Sequence, residues 1–265
     1  MSLVGGSVLV TGATGGLGRA IAAALAARGA QLILTGRRTE VLEPLARELG
    51  ARAIVCDLSD REQLDRLAAE ALSAGVDVLV SNAGLPASGV LPELTQKQID
   101  RMLEVNLRAP IALARALAPA MIERRRGHIV FMCSLSGKVA YRATSIYSAT
   151  KFGLRGFALG LRQDLRPHGV GVSLVLPGFI RDAGMFADAQ VELPLGIGTR
   201  SPEEVAGAVM SAIERNRAEV DVAPAWMRAG ASFAGVAPSL AASVSRKLGG
   251  DKIAADHVSG QRDKR

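Results

Sequence analysis

One short run limits the fold more than any other part of the chain. Thr11-Gly12-Ala13-Thr14-Gly15-Gly16-Leu17-Gly18 stands between the apolar run Val8-Leu9-Val10 and the alanine-rich stretch 19–28. That order reads as strand, glycine turn, helix. Glycines let the backbone turn tightly and come close to a pyrophosphate, and the helix N-terminus offers free N–H groups and the positive end of its dipole. With 29 glycines in 265 residues the loop carries weight through its position, not its composition. Its spacing is Gly-x-x-x-Gly-x-Gly, and the missing Gly-Lys-Ser/Thr ending argues against a P-loop nucleotidase.

The same alternation continues along the chain. Strands are predicted at 7–10, 31–35, 52–56, 76–80, 128–133, 171–176 and 219–222. Helices are predicted at 16–28, 39–49, 61–74, 95–124, 145–166 and 202–215. The strands are almost continuously apolar, which suits a parallel sheet covered on both faces. Asp60, Thr95 and Ser201 are positioned as N-caps, with Pro202 in the first turn, and Gly29, Gly50 and Gly75 as helix stops. Right-handed crossovers then give an α/β, Rossmann-like, doubly wound and mostly parallel seven-stranded sheet with helices on both faces. A ligand would bind at the carboxyl ends of its strands. One catalytic domain is expected over 1–222 and a C-terminal extension, helical and then basic, over 223–265.

Two stretches break the alternation. Residues 178–200 are too long for a simple connection, and they carry Phe179, Met185, Phe186, Leu193 and Leu195. An apolar loop of this length reads as an active-site lid. After Val222, the residues Trp226, Phe233, Val236, Leu240, Val244 and Leu248 recur near helical spacing. Pro238 is expected to divide them into two helices, followed by a basic, solvated tail.

The formal charge of +7 raises nucleic acid as a partner, but aromatic residues make up only 3% of the chain and the arginines are spread along helices. The run Arg124-Arg125-Arg126 precedes Gly127 and suits a helix C-terminus, where the dipole favours cations. No nucleic acid partner is expected. Cys56 and Cys133 form no Cys-x-x-Cys pair and the three histidines show no zinc spacing, so reduced thiols and no metal are expected. The N-terminus lacks the pattern of a leader, and no apolar stretch reaches the length of a membrane span. A cytoplasmic protein without a stable membrane anchor is the expectation.

The chemistry lies further along the chain. Tyr147 and Lys151 are four residues apart and share one face of a helix, with Ser134 upstream. An ammonium beside a phenol favours its ionised form, which would make the tyrosine a usable acid and base. A serine hydroxyl beside it can hold a substrate oxygen.

Together these motifs resemble the short-chain dehydrogenase/reductase family, in its compact single-domain branch, over residues 7 to 222. The resemblance implies that Gly12, Thr14, Gly15, Gly16, Leu17 and Gly18 form the cofactor loop. Asp57, with Leu58, would hold the adenine. Asn82-Ala83-Gly84 is similar to the family's turn after the fourth strand. Asn106, Ser134, Tyr147 and Lys151 match its catalytic tetrad, in which Asn106 kinks the long helix and joins a water-linked proton path. Pro177-Gly178, with Ile180, matches the turn facing the nicotinamide. Lys151 would also bind the nicotinamide ribose, and Tyr147 would lie against the cofactor. One departure stands out: Asp182 occupies a position where the family commonly has a threonine, which puts that contact in doubt.

The implied activity is hydride transfer between a nicotinamide and an alcohol/carbonyl pair. Ser134, Tyr147, Phe179, Met185 and Phe186 would contact the substrate, whose surroundings suggest an apolar alcohol or ketone. At the end of the second strand stand Gly36-Arg37-Arg38, with no acid until Glu40. Guanidinium groups there suit a ribose 2′-phosphate, favouring NADP(H) over NAD(H). A catalytically silent binding or scaffold protein on the same fold is the alternative, and the intact tetrad argues against it. The apolar faces of the fourth and fifth helices suggest at least a homodimer, with a tetramer possible.

Overall fold

A computed structural model describes residues 2–86, 89–188 and 198–247. Seven parallel strands form one sheet in the order β3-β2-β1-β4-β5-β6-β7. They are β1 (Ser7–Thr11), β2 (Gln31–Gly36), β3 (Arg52–Val55), β4 (Val78–Ser81), β5 (Gly127–Met132), β6 (Val170–Pro177) and β7 (Glu219–Val222). All their pairings are parallel, so both faces must be covered by crossover helices.

The strand alternation divides the core into two layers. Leu9, Leu79 and Phe131 point to one face, packed with α3 (Arg61–Ser73), α5 (Ala109–Glu123) and α6 (Ser145–Leu165). Val8, Val10, Val80 and Val130 point to the other, packed with α1 (Gly16–Ala26), α2 (Thr39–Glu48) and α8 (Pro202–Arg215). The run Val8-Leu9-Val10 looks uniformly apolar because it feeds both layers. Asp60 caps α3 by accepting from Glu62 and Gln63 N–H groups. Thr95 caps α4 (Gln96–Leu103) and Ser201 caps α8, each through a reciprocal capping box.

The long helix expected over 95–124 is not uniform. Between α4 and α5 the chain makes a π-helical turn, Glu104–Arg108, with Asn106 inside it. Such turns widen a helix by one residue and often accompany functional sites. Gln96–Glu123 also corrects the expectation about apolar length. It is long and apolar enough by composition to cross a membrane, but half of its apolar window is buried inside this fold, as befits a core helix. Of the arginine run, Arg124 reaches across to the Val76 carbonyl at 3.0 Å and Arg126 pairs with Asp77 at 3.6 Å, so the run secures the approach to β4.

Past β7 the proline divides two helices as expected: α9 (Ala225–Val236) and α10 (Pro238–Lys247). α9 buries Met227, Ala231 and Ala234 against the body and leaves Trp226 and Phe233 half exposed. After β6, α7 (Gly184–Asp188) is a single turn of helix. Leu193, Leu195, Leu248 and the basic tail lie outside the described residues, as does the side chain of Val244.

Candidate active site

One cleft of about 1080 Å³ opens at the carboxyl ends of the strands, and it takes in nearly every residue the sequence singled out. Its floor on one side is the glycine turn. The turn fits closely because side chains are absent where backbones meet. A methyl group at Gly18 would fall 2.1 Å from the Gly12 carbonyl oxygen, and one at Gly12 would fall 2.7 Å from Ala83 Cα. Gly12 also takes φ +66°, a region that disfavours any side chain. Asn82 ties the turn to the end of β4: its Nδ2 donates to the Thr11 and Gly12 carbonyls at 2.9 and 3.2 Å. Thr11 Oγ1 in turn accepts from the Asn82 and Ala83 N–H groups, both at 3.0 Å. Asn82 therefore also does the work of a structural clamp.

Next to this turn lie the groups at the ends of β2 and β3. Arg38 Nη2 donates to the Thr14 carbonyl at 2.6 Å, and Arg37 lies 3.8 Å from the Asp57 carboxylate. Burial works to raise the Asp57 carboxyl. The Ser59 N–H and hydroxyl, with Arg37 and Arg101, outweigh it and hold the group below the usual carboxylate range. Leu58 lines the same wall. Thr35 Oγ1 is buried here with no protein partner among the described residues. A cradle closed to side chains, two guanidinium groups, a held carboxylate and an orphaned hydroxyl fit a dinucleotide.

At the other side the catalytic candidates converge. Ser134 follows β5 and its Oγ accepts from the Ser136 N–H at 3.1 Å. Tyr147 and Lys151 project from the first turns of α6. Lys151 is 3% exposed and its Nζ donates to the Met132 carbonyl at 2.9 Å, 5.6 Å from the Tyr147 ring centroid. α6 can lie this close to the Ser134 segment because Gly137 has no side chain. A methyl there would meet Cys133 Sγ at 2.7 Å and the Lys151 carbonyl oxygen at 3.0 Å. Burial lowers the Lys151 pKa and drives the Tyr147 phenol above its ordinary value, with the Ser134 hydroxyl pulling the phenol back. This corrects the expectation that the lysine lowers the phenol. The Lys151 ammonium faces the Met132 carbonyl, and burial is the largest influence on the phenol.

Asn106 does not line the cleft. It is fully buried, accepts from the Leu85 N–H at 2.7 Å through Oδ1 and donates to the Leu85 carbonyl at 2.9 Å. Its amide props the chain just past Gly84. Pro177, Gly178, Phe179, Ile180, Met185 and Phe186 all reach the cleft, and the Phe179 and Phe186 rings lie 4.9 Å apart. Asp182 pairs with Arg181 at 3.3 Å and takes φ +67° with its side chain 71% exposed. Several lining residues had no motif to announce them, notably Tyr141, Arg142, Trp226, Gly230 and Phe233. For Trp226 and Phe233 the one sequence signal is the apolar stripe after the last strand; Tyr141, Arg142 and Gly230 have none.

A family model described as short chain dehydrogenase matches residues 7–192. The chain is 36% identical over 228 residues to the ketoacyl reductase HetN of Nostoc sp., covering 83% of this chain and 79% of that protein. A solved short-chain dehydrogenase from Sphingobium yanoikuyae in complex with NADPH superposes with a TM-score of 0.77 at 28% identity, covering 88% of this chain and 96% of that one. A metagenomic short-chain oxidoreductase in complex with NADP gives 0.71 at 36% identity, covering 84% and 99%. The chain belongs to the short-chain dehydrogenase/reductase family. It is an NAD(P)-dependent dehydrogenase/reductase with the Rossmann-like fold of that family.

Proposed function

We propose that the protein is an NADP(H)-preferring oxidoreductase acting on a secondary alcohol and its ketone with apolar substituents. The observation that carries this reading is that Ser134, Tyr147 and Lys151 share one cleft with the glycine turn and with Arg37 and Arg38. A nicotinamide, when bound, supplies or accepts the hydride. Ser134 holds the carbonyl oxygen within reach of the phenol. Tyr147 gives that oxygen a proton in reduction and takes one back in oxidation. Lys151 sets the charge beneath the ring and reaches the ribose hydroxyls. Asn106 keeps the turn at Gly84 in place through Leu85.

The arginines favour the phosphorylated cofactor because a guanidinium can clasp a 2′-phosphate with two donors. Cations at the start of α2 are otherwise poorly placed against its dipole. The solved neighbours that hold NADPH and NADP support the same choice. The apolar residues of the lid support an apolar substrate. A cytoplasmic homo-oligomer is part of this reading, with Leu103 and Phe152, 38% and 43% exposed, as contacts of a two-fold interface. Light scattering of the purified protein tests the assembly, and a monomer would remove it. A turnover panel of alcohols and ketones with NADP(H) and NAD(H), read at the nicotinamide absorbance, tests the activity. Oxidation or reduction with NADP(H) is the expected result, and no turnover with any pair would favour the silent binding protein.

A further inference from the structure

α9 does more than cover the end of the sheet. Trp226, Gly230 and Phe233 are spaced i, i+4 and i+7, which places them along one edge of the helix. All three line the cleft. Trp226 and Phe233 are 53% and 48% exposed, while Met227, Ala231 and Ala234 on the adjoining face are buried. The helix starts beside the Pro177-Gly178 turn: a methyl group on Gly178 would lie 3.1 Å from Ala223 Cβ and 3.4 Å from Met227 Cε. α9 therefore stands at the substrate end of the cleft. On the helix edge that carries Trp226 and Phe233, a methyl group at Gly230 would meet no atom within 4 Å. Glycine in a helix interior is unfavourable relative to alanine, and here neither a left-handed φ nor a close neighbour requires it. Its effect is to leave an open notch on the edge of α9 that carries Trp226 and Phe233. Phe179, Phe186 and Tyr141 extend the apolar lining of the same cleft.

We propose that this notch is the specificity site for the larger substituent of the substrate. Resting on the oxidoreductase reading above, it makes the substrate class a ketone or alcohol with one bulky apolar arm, aromatic or extended, lying between Trp226 and Phe233 over Gly230. A small ketone leaves the notch empty and gains nothing from it.

Gly230→Leu tests this directly, since its Cβ meets no atom within 4 Å and the rest of the side chain takes up the notch. Wild type and variant are compared on hexanophenone and 2-butanone with NADPH. The ratio of kcat/KM for hexanophenone over 2-butanone should fall by about tenfold or more in the variant, the scale on which an apolar pocket discriminates. Trp226 is the chain's one tryptophan. Its fluorescence, titrated with hexanophenone in the presence of NADP+, should quench and saturate in wild type and shift to higher concentration in the variant. A thermal melt no lower than wild type shows that the variant is folded. If Gly230→Leu does not fold, Gly230→Ala makes the same test with a smaller change in ratio. An unchanged ratio, or no saturable quenching, overturns the notch and leaves hydride transfer standing. Saturable quenching without turnover of either ketone leaves the notch standing and removes the oxidoreductase reading.

Discussion

The cofactor end of the cleft has a floor of backbone at the glycine turn, and its substrate end is walled by side chains. At the first, Gly12, Gly18 and Ala83 meet at distances that admit no added carbon, and Asn82 is tied to main-chain carbonyls. At the second, the wall is assembled from the Tyr141–Arg142 segment, Phe179 and Phe186 after β6, and Trp226 and Phe233 of α9. A wall of backbone fits one shape and tolerates little change. A wall of side chains on separate segments can be rebuilt one residue at a time. The division suits an enzyme whose cofactor is fixed and whose substrate is chosen by the surface around it.

The largest effect should come where the two ends meet. Tyr147→Phe removes the proton and should lower kcat by roughly 10²- to 10⁴-fold, the usual worth of general acid–base catalysis, with a far smaller change in NADPH affinity. Near-wild-type turnover would take Tyr147 out of the mechanism. Because burial holds the phenol above its ordinary value, alcohol oxidation, which needs the phenolate, should climb as pH rises. Ketone reduction, which needs the phenol, should stay level near neutrality. Rate profiles in both directions would show this, and an oxidation rate that falls with rising pH would contradict it.

Smaller effects separate the two ends. Arg37→Ala should weaken NADPH binding about ten- to a hundredfold more than NADH binding, the worth of one charge-assisted hydrogen bond. Fluorescence titration of the bound cofactors measures it, and equal losses would refute a 2′-phosphate contact. Gly18→Ala drives a methyl into the Gly12 carbonyl, a strain of about 1–3 kcal/mol that should appear as roughly tenfold weaker binding of both cofactors. Unchanged affinity would show that the turn yields, and the contrast between the two ends would weaken.

The smallest effect concerns how the substrate end is held. Glu219 on β7 meets Arg155 of α6 at 2.5 Å and Lys138 at 3.1 Å, and Lys138 also binds Asp221 at 2.7 Å. Burial alone would raise the Glu219 carboxyl, but Arg155 and Lys138 more than reverse this and leave it lowered. A carboxyl lowered in the folded state stabilises above its ordinary value of about 4.3 and loses that contribution as pH falls through the folded value. Glu219→Gln should therefore cost about 1 kcal/mol at neutral pH and almost nothing well below pH 4, read by urea unfolding. An equal cost at both pH values would mean that the pair is not electrostatic.

The contrast also explains what could be read from the chain beforehand. The cofactor end follows from local geometry, since a glycine turn between strand and helix has few alternatives, and the seven strands appear within a few residues of the expected limits. The resemblance marks Asn106 as a kink in the long helix, but not that the kink is a π turn or that the Asn106 amide pairs with Leu85 from another segment. Nothing local joins Tyr141 to Gly230 and Phe233 of α9. They share a cleft only because the sheet sets where two distant segments end. The phenol's environment was misjudged for the same reason: spacing puts Lys151 near Tyr147, but burial is set by the whole fold.

The strand order also has a temporal side. β1 pairs with β2 and β4, so every partner of the first strand lies within the first 81 residues. During synthesis the dinucleotide cradle can close before Ser134 or Tyr147 has been made. β5 completes the exposed edge of β4 only at residue 132, which at the usual pace of translation is a delay of roughly 3–10 s. For that interval the nascent chain presents a bare parallel edge to its surroundings. Slowing translation between residues 82 and 126 should lower the soluble yield, and an unchanged yield would show that the edge is covered in some other way.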